Sequence, residues 1–143
     1  MSDTWDDLHR CLTEALAALT DGEFLTVSEP PGEFVKRGFL RRGAPAPTRF
    51  VQFVVMGDEV RAECSGADSF GGSVHLTDVE VDLLRAIGWL LPTEPGDIGA
   101  EPPSYPNFWR AATRASIEVL VALGVGALTS WGLDPGTLEW KLG

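Results

Sequence analysis

Histidine and cysteine are scarce in this chain of 143 residues, with only His9, His75, Cys11 and Cys64 present. A metal site needs several ligands converging at fixed spacing, and only His9-x-Cys11 comes near. Those positions lie about 200° apart around a helix, so they point to different sides and no metal is expected. The two cysteines form no CxxC motif and no stapled framework, which makes reduced thiols in a cytoplasmic setting the simplest account. His75 has no Ser or Cys at motif spacing and reads as a local hydrogen-bonding group. Gly66-Ala67-Asp68-Ser69-Phe70-Gly71 misses the nucleophile elbow by one residue. Gly124-Val125-Gly126 lacks the third glycine of a dinucleotide fingerprint, and no Walker lysine follows any Gly-rich stretch. With no catalytic constellation, the chain reads as a non-enzyme without a cofactor.

Basic residues are also few. Eleven Lys and Arg against twenty-one Asp and Glu give a net charge of −10, which disfavours a phosphate backbone or an anionic bilayer as partner. Neither nucleic acid nor membrane is expected. The longest apolar run, Ile117 to Leu128, is interrupted by Glu118 and falls short of the roughly 20 residues a membrane span needs. Met1 to Asp7 carries three acids and no base, unlike a signal peptide. What remains is one soluble domain over residues 1–143, of a size that hides about 70% of its unfolded surface.

From Trp5, Leu8, Leu12, Leu16 and Leu19 recur at three- and four-residue steps, predicting an amphipathic helix ended by Gly22. Phe24 to Ser28 reads as a strand closed by Pro30, Pro31 and Gly32. Phe34 to Arg49 reads as a strand fragment followed by a loop. The strongest local signal is a hairpin of residues 49–56 and 59–65 around Gly57-Asp58, which suits a II′ turn. Its register sets Met56 against Glu59, Val55 against Val60, Phe53 against Ala62 and Val51 against Cys64. The last three pairs make one apolar face; Phe50, Gln52, Val54 and Met56 share the other with Ser65, Glu63, Arg61 and Glu59. Thr77 and Glu80 form a capping box for a second helix, Asp78 to Ile87, stopped by Gly88. Pro92 to Pro106 is proline-rich and predicts a surface loop. Asn107 suits the N-cap of a third helix beginning at Phe108, with Ala112, Ala115, Val119 and Ala122 along one stripe and an end weakened by Gly124 and Gly126. Leu138 to Leu142 reads as a final edge strand.

Lys36-Arg37, Arg41-Arg42 and Arg49 form a local basic stretch, read here as a solvated loop rather than an anion site. Five tryptophans, Trp5, Trp89, Trp109, Trp131 and Trp140, are many for this length. Most should anchor the core at element ends, with one or two left to border a binding surface.

Several of these residues together resemble a known family: Trp5 opening a Leu-rich helix, Phe50-Val51-Gln52-Phe53 followed by Ala62-Glu63, Leu84 with Ile87-Gly88-Trp89 and Pro92, Pro106-Asn107-Phe108, and Leu138-Glu139-Trp140. The pattern resembles the TY-Chap family, named for type III secretion chaperones and YbjN-like proteins of bacteria. The resemblance implies an α+β fold with an antiparallel sheet covered on one side by helices. It also implies a chaperone-like role, binding a peptide or protein client. The Pro-rich loop after Trp89 departs from the pattern, standing where secretion chaperones have a hairpin.

The leading expectation is thus a cytoplasmic, non-enzymatic adaptor for a peptide or protein client, linked to secretion or regulation, with homodimerisation as a further expectation. An immunity or inhibitor protein against a basic toxin is the alternative, and a small enzyme with an unrecognised site is the third. Phe50, Gln52, Val54 and Glu63 are the expected partner-binding residues, with Trp89 at the border of the site.

Overall fold

A computed structural model of the protein describes residues 4–30, 48–72, 74–96, 100–103 and 106–143. Helix α1 (Trp5–Ala18) opens at Thr4, whose hydroxyl accepts the Asp7 amide at 3.1 Å. Leu8, Leu12 and Leu16 are buried together, as their four-residue spacing requires. The helix stops four residues earlier than Gly22 suggests, because Leu19 already has extended backbone. Arg114 secures that end: its Nη2 donates to the carbonyl of Leu19 at 2.5 Å and of Ala17 at 3.4 Å. Gly22, with φ +89°, turns the chain into strand β1 (Phe24–Ser28).

Strands β2 (Phe50–Met56) and β3 (Glu59–Cys64) form the expected hairpin in the expected register. Gly57 has φ +64° and Asp58 has negative φ, the combination of a II′ turn. Val51, Phe53, Val55, Val60, Ala62 and Cys64 are all fully buried on one face. Helix α2 (Asp78–Ile87) carries the capping box at Thr77 and Glu80, and Gly88 closes it with φ +130°.

The third helix differs from expectation. Residues from Phe108 form strand β4 (Phe108–Thr113), and helix α3 runs later, over Ile117–Ser130. Pairing with β3 along its whole length supplies cross-strand contacts that outweigh the helical preference of Ala111 and Ala112. The Ala115, Val119 and Ala122 stripe consequently faces solvent, while Leu120, Val121, Leu123, Ala127 and Leu128 enter the core. Gly124 lies inside the helix rather than weakening its end. A Cβ there would stand 2.8 Å from Phe53 Cζ and 3.2 Å from Val51 Cγ1, so glycine permits α3 to lie directly on β2.

Strand β5 (Glu139–Leu142) completes a five-stranded antiparallel sheet in the order β4-β3-β2-β1-β5. Helix α3 crosses β2, β3 and β4, with α1 and α2 packed against it, and the buried faces of all three helices share one core with the inner side of the sheet. The fold is α+β with helices on one face. Positions 31–47, which hold most of the expected strand fragment and the basic stretch, lie outside the described residues.

Candidate functional site

Side chains alternate along a strand, so each residue sent to the core places its neighbour on the opposite, outer face. Pairing aligns those outer residues into rows across the sheet. Thr26, Gln52, Glu63 and Trp109 make one row, and Phe24, Val54, Arg61 and Ala111 make the next. Ser28 and Phe50 begin a third. Phe50, Gln52, Val54 and Glu63 are therefore brought together on the outer face, each half-buried by its neighbours.

Gln52 and Glu63 stand opposite each other but are held by different partners. Thr26 Oγ1 donates to Gln52 Oε1 at 3.4 Å, and Asn107 Nδ2 donates to Glu63 Oε1 at 2.9 Å. Asn107 Oδ1 in turn accepts the Gly66 amide at 3.1 Å, tying the entry of β4 to the end of β3. Asn107 thus acts as a cross-link between strands where the sequence suggests a helix cap. Arg61 lies with its guanidinium carbon 4.9 Å from the centroid of the Trp109 ring, and its Nη2 reaches Glu59 Oε2 at 3.5 Å. The face is thus mixed: aromatic and aliphatic contact from Phe24, Phe50 and Val54, with fixed polar groups between them.

Trp89 lies apart from this group. It is 2% exposed within the core, where its indole Nε1 donates to the Leu123 carbonyl at 3.1 Å. Gly88 turns the chain so that the following indole passes beneath α3 instead of reaching the outer face. The tryptophan on the outer face is Trp109, the register partner of Glu63. It is fully buried, with Arg61 over its ring and Gly96 of the Pro-rich loop so close that a Cβ there would approach its Cη2 to 2.6 Å. Leu90 exchanges two backbone hydrogen bonds with Trp109, at 3.0 and 3.1 Å, which occupies part of the β4 edge. Reading Asn107-Phe108-Trp109 with a period of two would have placed Phe108 and Trp109 on opposite faces; the neighbouring alanines favour the helical reading instead.

Beneath the face, burial pushes the Cys64 thiol well above its ordinary pKa, with the charge of Glu63 as a smaller contribution. Such a thiol stays protonated and unreactive at neutral pH. Among the described residues, no group of three or more His, Cys, Asp and Glu side chains is placed to hold a metal ion, and no helix is long and apolar enough to cross a membrane. The arrangement offers shape and hydrogen-bonding capacity to a partner.

The family described as T3SS (YopN, CesT) and YbjN peptide-binding chaperone 3, TY-Chap3, matches residues 1–139 of the 143. The chain belongs to the TY-Chap3 family. It is a family of peptide-binding chaperones, and the antiparallel sheet with its one-sided helical layer is consistent with membership. No curated protein and no solved structure matches the chain significantly.

Proposed function

We propose that this TY-Chap3 protein is a non-enzymatic, cytoplasmic chaperone-like adaptor that holds a segment of a client protein on the outer face of its sheet. The observation that carries the reading is the composition of that face. Phe24, Phe50 and Val54 offer apolar contact, Gln52 and Glu63 stand in fixed positions between them, and the helices pack on the other side. Gln52 and Glu63 orient the client's backbone or a basic side chain, while Phe50 and Val54 bury its apolar groups. Strand β5 adds a second element of recognition. It ends the sheet, so among the described residues its outer edge has no strand partner, which suits it to backbone pairing with an extended segment.

The test is affinity capture from native lysate with the wild-type protein and with a Gln52→Ala/Val54→Ser variant, followed by identification of what is retained. Flexible or secreted chains lost by the variant support the adaptor. One co-encoded basic toxin would favour the immunity reading, to which the net charge of −10 is suited. A retained metabolite without protein would favour an enzyme. Homodimerisation is part of the proposal, and light scattering at high micromolar concentration should report a dimer. A monomer there removes the dimer while leaving client binding intact.

A further inference from the structure

Helix α2 turns an apolar ridge outward. Val79 is 68% and Leu83 45% exposed, one turn apart on the side away from the buried Val81 and Leu84. A surface helix ordinarily presents polar groups there, and adjoining exposed apolar side chains mark a contact surface. Beside the ridge lies a depression of about 430 Å³ lined by Ser69, Phe70, Asp78, Val81 and Asp82. Phe70 is held edge-on against Phe108, with ring centroids 6.1 Å apart, which fixes the apolar wall.

The charges on α2 divide in a way that suggests the occupant. Glu80 pairs with Arg49 at 3.7 Å, and Arg85 with Glu94 at 3.3 Å. Asp78 and Asp82, the two carboxylates of the depression, have no hydrogen-bond or ion-pair partner among the described residues. They also stand one turn apart, so both flank the same cleft.

We propose that this surface docks a basic amphipathic segment of a partner protein. An apolar side chain of that segment rests on Val79 and Leu83. A neighbouring Lys or Arg enters the depression, with its methylenes against Phe70 and Val81 and its cationic head between Asp78 and Asp82. Charge complementarity with an acidic chain steers the encounter and selects against acidic segments. The surface belongs to the helical layer, separate from the outer face of the sheet, and it stands whether or not that face binds a client.

The test uses a fluorescein-labelled synthetic Leu/Lys amphipathic peptide and its Leu/Glu counterpart, followed by anisotropy and by amide chemical-shift mapping on the full chain. The Leu/Lys peptide should bind with shifts centred on residues 69–70 and 78–83. Asp78→Asn/Asp82→Asn should weaken it about fivefold to tenfold, and Leu83→Gln about tenfold. Asp6→Asn/Glu118→Gln, which removes the same charge elsewhere, should change affinity less than twofold. Unchanged melting temperatures establish that all variants are folded. Equal binding of the Leu/Glu peptide, shifts centred elsewhere, or equal loss in the Asp6/Glu118 control would overturn the proposal. Binding that emerges only when Lys36, Arg37, Arg41 and Arg42 are changed to Gln would also overturn it, in favour of an occupant within the chain. A dimer that Leu83→Gln dissolves would overturn it in favour of a second copy.

Discussion

Phe53 and Val54 are adjacent in β2 and lie on opposite faces of the same sheet. Phe53 is fully buried beneath α3, close enough that a Cβ at residue 124 would stand 2.8 Å from its ring, whereas Val54 sits half-buried in a row with Phe24, Arg61 and Ala111. One face is covered by three helices. The other keeps its apolar and polar groups mixed, and among the described residues no helix packs on it. Alternation along a strand thereby lets a single element supply stability on one side and, as proposed, recognition on the other, so that changes on the two faces should have separable consequences.

The largest expected effect breaks the inner face. Phe53→Ala should cost about 3–5 kcal/mol of stability through lost burial and the cavity left behind. Val54→Ala, one residue away, should cost less than about 1 kcal/mol. Denaturant unfolding of the two variants measures the contrast directly. Similar losses at both positions would erase the division between the faces.

Ser65, at the end of the hairpin, tests how far the seam between the faces depends on buried polar contacts. Its hydroxyl is fully buried, accepts the Phe50 amide at 2.7 Å and donates to the Thr48 carbonyl at 3.3 Å. Ser65→Ala strands both groups and should cost about 1–3 kcal/mol, while Ser65→Thr should retain part of that stability if its added methyl is accommodated. Thermal or denaturant unfolding of the pair provides the check.

A smaller effect comes from Cys64. Its thiol pKa is raised by burial in the folded chain, above the value near 8.5 expected when unfolded. The unfolded state therefore loses its proton first as the pH rises. The stability contribution is full below about pH 8.5 and declines above it as the pH climbs toward the folded value. Unfolding curves from pH 7 to 10 should show a steeper alkaline decline for wild type than for Cys64→Ala. Parallel curves would mean that the thiol is not shielded. A thiol reagent should likewise modify Cys11, which is partly exposed, well before Cys64.

Much of this comparison was legible in the sequence, for identifiable reasons. The hairpin register followed from Gly57-Asp58 and the alternation of Val51, Phe53 and Val55, since a one-residue slip would have exposed the whole apolar set. Helix α2 announced itself through Thr77 and Glu80, a contact confined to four residues. The region from Asn107 to Thr113 reads as helix in the sequence because its partner, β3, is more than forty residues distant and local composition favours helix. Trp89 lies in the core rather than at the border of the site for a related reason. Which side an indole takes depends on the turn at Gly88 and on the loop at Gly96, neither of which is encoded by the aromatic residue itself.

The smallest structural effect, and the most informative functional one, is expected on the outer face. Glu63 anchors Asn107, so Glu63→Gln preserves an acceptor where alanine would remove one. Gln52→Ala combined with Glu63→Gln should shift the melting temperature by only a few degrees, since outer-face contacts are each worth about 0.2–1 kcal/mol. The direct measurement is the affinity of a peptide selected from a random display library on the immobilised protein, and retained by the Leu83→Gln variant so that it does not report on α2, compared between wild type and this double variant. The account predicts about a tenfold or greater loss of affinity with the fold intact. Undiminished affinity, or a loss that merely follows unfolding, would contradict the assignment of client binding to the outer face.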